Sequence, residues 1–236
     1  MTGLESPEKP GSVSAPMGAK GTDTKRGVQI ASQLRDEIVA GQLPVGSPLR
    51  LATLAERLNV STTPVREALT ILERQGLVIS QLHRGFRVAE ITPKEIAAIY
   101  NVHAYMSELL AESATRRLSE EEIDELEELD AQMREATAEG NATLAADLNH
   151  EFHRRINRKA GLPLIVRFLG ETTPFVTRRQ DPDVPGWAEQ RLEGHHEIIE
   201  ALRRRDAPLV AELIGSHIRR SGELATAFAA AGSAAR

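Results

Sequence analysis

The sequence predicts a mainly α protein, with a small N-terminal domain that carries a β-hairpin and a C-terminal antiparallel all-helical bundle. Three observations predict it. Apolar residues recur at helical spacing along most of the chain. One stretch, LVISQLHRGFRVAEI, alternates instead as short strands do. Aromatic residues are only 3% of the total, which suits helices built on Leu, Ile and Ala better than a β-sandwich.

The totals narrow the field further. At 236 residues, 41% hydrophobic and 27% charged, the chain can build one large packed domain or two modest ones. A net charge of -5 excludes a generally basic coat for nucleic acid, so any DNA-binding face is local. The absence of cysteine excludes disulfides, thiol catalysis and Cys-ligated zinc, and suits a reducing cytoplasm, the expected location. No apolar run approaches the roughly 20 residues that span a bilayer, so no membrane partner is expected.

Residues 1–27 are rich in Gly, Ser, Pro and charge and lack the apolar core of a signal peptide. They are expected to form a disordered arm, either without function or touching phosphates through Lys20, Lys25 and Arg26. From Val28, Ile30, Leu34 and Ile38 fall four apart on a helix that stops at Gly41, before Pro44. GQLPVGSPLR reads as a loop. In LATLAERL, Leu51, Leu54, Ala55 and Leu58 share one face, and Asn59 stands where a left-handed residue ends the helix. Ser61 is placed to cap the next helix with its hydroxyl, and Pro64 lies in the first turn, where its missing N–H costs little. Val65, Leu69 and Leu72 then face inward until Gly76. With a hairpin turning near Arg84 and Gly85, the order is that of a winged helix-turn-helix over residues 28–91.

In such a unit the first residues of the second helix face base edges in the major groove. Here those are Thr62, Thr63 and Arg66, beside the helix N-terminus at Ser61 that favours a phosphate. Arginine is the commonest reader of guanine. Arg50 is placed for a phosphate or base, and His83, Arg84 and Arg87, around Gly85, put a basic wing tip on the DNA. Double-stranded DNA is therefore the expected partner.

The run LAERLNVSTTPVREALTILERQGLV followed by HRGFRV resembles the DNA-binding domain of the GntR family of bacterial transcription regulators. Two positions depart from the family: Thr62 stands where Arg often follows the capping Ser, and Ala52 stands where some members carry Arg. Of the arginines that the resemblance would assign to base reading, Arg66 remains, so no operator sequence transfers.

Residues 92–230 read as about six helices. Thr92 caps one that Pro93 opens, and Ser119 with Glu122 forms a capping box for the next, whose acidic residues read as a solvated face. GWAEQRLEGHHEIIEALRRRD reads as a single helix, and residues 231–236 as a tail. Three histidines fall on apolar faces. Asn149 and His153 are four apart beside Ala145, Leu148, Phe152 and Ile156; His195 lies near Leu192, Ile198, Ile199 and Leu202; His217 lies near Val210, Leu213, Ile214 and Ile218. Single buried histidines are usually core residues, but three aimed inward suggest metal ligation by neutral imidazole. HEFH at 150–153 is not the HExxH zinc-protease motif, and His150 and His196 are expected to face outward or pack locally.

Asn149-x-x-x-His153, His195 before IIEALRRRD, and His217 in SHI resemble the FCD effector domain of the FadR-type branch of GntR regulators. The resemblance implies that Asn149, His153, His195 and His217 hold a divalent metal: zinc first, with nickel or manganese as alternatives. It also implies a small carboxylate effector that completes the coordination. Asn149 in place of the commoner Asp removes a charge from that set. His103 occupies a place where the family commonly has an effector-facing Arg; it could assist the metal, bond the effector or fill space. Arg178 and Arg179, next to Thr177, are candidates for an effector carboxylate or a basic helix end in solvent.

The reading is an effector-responsive regulator, a repressor by expectation. It is expected to act as a homodimer on a pseudo-palindromic operator. Two alternatives remain: the same regulator with a metal-free organic-ligand pocket, and a metal-dependent enzyme with a DNA-binding appendage. Against the enzyme, Glu151 is two residues from His153 and points elsewhere on the helix.

Overall fold

The computed structural model describes residues 19–82, 85–177 and 186–234, and within them the chain forms two compact units. Among the described residues, the first comprises 19–34, 48–82 and 85–87, and the second 35–47, 88–177 and 186–234.

The first unit opens on α1 (Ala19–Val39), whose residues up to Leu34 belong to it. The helix begins inside the stretch expected as a disordered arm, which corrects that expectation for residues 19–27; residues 1–18 lie outside the described residues. The reason is packing. The buried stripe Ile30, Ala31 and Leu34 continues back one turn to Gly27. A Cβ on Gly27 would lie 2.9 Å from Glu67 Oε2 and 3.1 Å from Glu67 Cβ, so the bare backbone lets this turn press against the next-but-one helix.

That helix is α3 (Thr62–Arg74), preceded by α2 (Leu51–Arg57). Asn59 joins them with φ 51°, the left-handed conformation its position predicts. Val65, Leu69 and Leu72 are fully buried. Ser61 has N-cap dihedrals, φ -73° and ψ 166°, but its hydroxyl makes no capping bond, contrary to expectation. An N-cap oxygen most often accepts from the N–H of the second or third helical residue, and the third residue here is Pro64, which has none.

Strands β1 (Pro48–Leu49), β2 (Val78–Gln81) and β3 (Gly85–Val88) form one sheet in the order β1-β3-β2. β1 lies in the stretch read as a loop. It pairs antiparallel with β3 through Pro48–Arg87 and Leu49–Phe86, and two residues are too few to show alternation.

The second unit is a helical bundle: α4 (Pro93–Thr115), α5 (Glu120–Ala138), α6 (Ala142–Lys159), α7 (Pro163–Thr177), α8 (Trp187–Leu192), α9 (His195–Arg203) and α10 (Ala207–Ala234). Reciprocal capping boxes at Thr92/Glu95 and Ser119/Glu122 start α4 and α5, as their sequences predict. Its core draws Tyr100, Leu110, Ile123, Phe152, Ile156, Ile198, Leu202 and Ile214 from five of these helices. α10 runs along α4 at close range: a Cβ on Gly222 would lie 2.6 Å from Tyr100 Cβ. The Tyr100 hydroxyl donates to the Val176 carbonyl at 2.7 Å, tying α4 to α7.

Three further expectations are corrected. The stretch read as one helix from Gly186 to Asp206 is two, because the chain turns at Glu193 and at Gly194, which has φ 85°. α10 continues to Ala234, through most of the stretch read as a tail, on an alanine-rich segment with high helix propensity. The acidic face of α5 is also not simply solvated. Asp124 and Glu127 hold Arg203, Glu125 holds Arg155, and Glu120 holds Arg205, pairs that register α5 against α6 and the α9–α10 junction. None of the described helices is long and apolar enough to cross a membrane.

Candidate metal centre

Three imidazoles meet inside the second unit. His153 comes from α6, His195 from the first position of α9, and His217 from the middle of α10. One nitrogen of each lies within 4.8 Å of the others, and the ring centroids are 5.0–5.3 Å apart. His195 is fully buried and stacks on Phe152, with centroids 4.2 Å apart and planes 8° from parallel.

The outer nitrogens are held. His195 Nδ1 bonds Asp130 Oδ1 at 3.2 Å, and His217 Nδ1 donates to the Glu193 carbonyl at 2.9 Å. Both bonds put the ring proton on Nδ1 and aim an Nε2 lone pair at the centre. Burial sets the charge state. It pushes His217 down to about 3, with the His195 charge adding to the shift and the Glu193 bond opposing it. It pushes His153 well below its ordinary value, helped by His217 and His195. It also lowers His195, against the raising influence of Asp130. Burial pushes the Asp130 carboxyl up, but the bonds from His195 and Arg134 outweigh it and hold the group below its usual value.

The fit to a divalent metal rests on two orphaned atoms. His195 Nε2 and Asn149 Oδ1 are buried with no hydrogen-bond partner. Buried polar atoms without partners are costly, and three neutral nitrogens with an amide oxygen are a suitable donor set. His150 and His196 are exposed, and Glu151 turns away to pair with Arg154 and Arg155.

The centre opens on a cavity of about 530 Å³, within the range of small-molecule sites. Asn149, His153 and His217 line it, with His103 and Ser107 from α4. His103 Nδ1 lies 2.7 Å from Thr172 Oγ1, and burial, with the His150 charge, pushes its imidazole down to about 4. Among the described residues its walls include Arg35, Arg154, Arg158 and Arg191 against one acid, Asp36. Arg191 is 5% exposed and has no acidic partner among the described residues; its contact is Ala142 O at 3.5 Å. Arg178 and Arg179 lie outside the described residues.

Two residues escaped the sequence reading. Asp130 had a signal, since it is a carboxylate on the buried stripe Ile123, Leu126 and Met133 of α5. Arg191 had none, because basic residues are frequent at helix ends.

On the first unit, Arg50, Ser61, Thr62, Thr63 and Arg66 are all exposed around the start of α2 and α3. Among the described residues, the side chains of Arg50 and Arg66 have no ion-pair partner. Gly85 opens β3 with φ 83°; His83 and Arg84 lie outside the described residues.

An exposed helix-turn-helix beside a sheet, and a helical unit built around a histidine centre, define a DNA-binding regulator with a ligand-sized chamber. Residues 26–88 match the family described as bacterial regulatory proteins, gntR family, and residues 98–220 match the FCD domain; the chain belongs to this family of transcription regulators, which are not enzymes. It is 28% identical over 196 residues to a probable D-xylose utilization operon transcriptional repressor of Paenarthrobacter nicotinovorans, covering 80% of this chain and 85% of the relative. It is 27% identical over 192 residues to the gluconate operon transcriptional repressor of Bacillus licheniformis, covering 78% of each. The fold is that of the solved E. coli McbR/YncC structure, with a TM-score of 0.71 at 21% identity over 83% of this chain and 94% of that one. A GntR regulator from Rhodococcus sp. RHA1 gives 0.67 at 21% identity, over 85% and 97%.

Proposed function

We propose that this regulator represses transcription and is released or rearranged by a small organic acid bound at a divalent metal. The observation that carries the reading is the convergence of His153, His195 and His217, with two orphaned donor atoms, beside a cavity that Asn149, His153 and His217 line. Asn149 supplies the fourth donor, and zinc suits the set best, with nickel and manganese as alternatives. The metal would supply positive charge and an open coordination position for a carboxylate oxygen. Arg191, buried with no acidic partner among the described residues, pairs the carboxylate alongside the candidate Arg178. The names of the two relatives support repression.

Arg66, Thr62 and Thr63 read base edges, and Arg50, Ser61 and the wing residues His83, Arg84 and Gly85 hold the backbone. Two copies of the chain bind the halves of a pseudo-palindromic operator. The effector acts by binding one arrangement of the dimer better than another.

Metal content of untagged protein, dialysed against metal-free buffer, tests the centre against a His153→Ala, His195→Ala double variant. Stoichiometric metal in the parent and none in the variant is expected. Absence from both after reloading with zinc, nickel and manganese overturns the metal reading in favour of an organic ligand held by the imidazoles alone.

A further inference from the structure

His103 and Ser107 lie four residues apart on α4, on the same face, and both line the cavity. Neither belongs to the histidine cluster, whose ligand atoms close on one another without them. Each nevertheless presents a polar atom with nothing to bond.

A chain of protons fixes the state of His103. Thr172 Oγ1 lies 2.8 Å from the Leu169 carbonyl oxygen. Two oxygens at that distance are held together only by a proton between them, so the threonine hydroxyl donates to Leu169. Its oxygen is then an acceptor toward His103 Nδ1 at 2.7 Å, and the ring proton sits on Nδ1. A neutral imidazole has one N–H, so Nε2 is a bare lone pair. It has no partner among the described residues. Ser107 is 1% exposed, and its Oγ is buried without a hydrogen bond.

A lone pair on a cavity wall repels a carboxylate oxygen and accepts only from an O–H or N–H. Among the described residues, four guanidinium groups and one carboxylate on the walls disfavour an ammonium. A hydroxyl has the chemistry both orphans need, since it can donate to His103 and accept from Ser107, which lie one helical turn apart. We propose that His103 Nε2 and Ser107 Oγ form a hydroxyl-recognition site, so that the effector is a hydroxy acid rather than a simple carboxylate. The inference rests on the reading of the cavity as a carboxylate site. It assigns His103 to the effector, and Thr172 acts as a positioning residue that orients the acceptor.

The test is calorimetry on the metal-loaded full chain with two probe pairs, malate against succinate and lactate against propionate. Parent protein, Ser107→Ala, Thr172→Val and His103→Phe are compared, with metal content measured for each. The hydroxy member of a pair should bind about tenfold tighter in the parent, and the preference should fall to within about twofold in Ser107→Ala and Thr172→Val. Nitrogen-15 spectra of the parent should show His103 protonated at Nδ1, and Thr172→Val should release that tautomer. A preference unchanged in the variants belongs to chelation at the metal; it overturns the hydroxyl site and leaves the carboxylate reading standing. Loss of metal in His103→Phe makes His103 a ligand and also overturns the site, as does an Nε2–H tautomer in the parent. Failure of all four acids to bind overturns the carboxylate reading and this inference with it.

Discussion

His217 Nδ1 donates to the backbone carbonyl of Glu193 at 2.9 Å, across 24 residues of chain. That carbonyl is available because the chain breaks there, with Gly194 at φ 85° before α9 begins at His195. One turn therefore orients two of the three imidazoles, His217 by its carbonyl and His195 by the helix it starts. Gly194→Val strains a left-handed position by about 1–3 kcal/mol. It should lower metal affinity while DNA binding by the metal-free protein survives; chelator competition and a mobility-shift titration measure the two.

Asp130 holds the outer nitrogen of His195, and Arg134 bonds the same carboxylate at 2.8 Å. Asp130→Asn keeps the shape and removes the charge. Metal affinity should fall about 10–100-fold, as it does when outer partners of ligating histidines are lost. Competition with a colorimetric chelator reads the change.

The metal-free protein should lose stability in acid. The folded state holds His217 at about 3, below its ordinary 6.5, and His153 and His195 are lowered too. Protons therefore bind the unfolded chain preferentially as pH falls through that window. The stability contributed by the neutral imidazoles is full above about pH 6.5 and is lost toward pH 3, at about 1.4 kcal/mol per pH unit for each linked proton. Urea titrations at stepped pH on parent and His217→Phe measure it. A parent stability flat from pH 7 to 4 would refute the linkage.

Gly222 faces Tyr100 at a separation that leaves no room for a side chain. The obstructing atoms begin at Tyr100 Cβ, which cannot swing away, and the tyrosine hydroxyl is already bonded to Val176. Gly222→Val should cost about 1–3 kcal/mol by overpacking, seen as a lowered Tm.

Arg66 is exposed one turn into α3 and has no ion-pair partner among the described residues. Arg66→Ala should weaken operator binding by about 1–3 kcal/mol and relax base preference at a single position per half-site, whereas Arg50→Ala should weaken all sequences alike. Selection from a randomised duplex pool, run on both variants, separates the two roles.

Much of the fold was legible because its signals are local. Ile30, Leu34 and Ile38 mark the face of α1, Asn59 the left-handed turn, and Thr92/Glu95 and Ser119/Glu122 the helix starts, all within a few residues of what they control. The four-residue spacing of Asn149 and His153 likewise places both on one side of α6. Two of the errors arose where a longer-range contact decided. The close approach to Glu67 extends α1 back past Gly27, and β1 exists only because β3 lies beside it.

By itself, then, the sequence determined the helices, their caps, the helix-turn-helix and the inward aim of three histidines, because backbone propensity and periodicity act over one or two turns. Tertiary structure alone decided that the three rings meet and that Asp130, 65 residues from His195, orients one of them. It also decided that Thr172, 69 residues from His103, bonds Nδ1 of that ring. Hydrogen bonds and burial reach across any length of chain, and spacing along the sequence carries no measure of that distance.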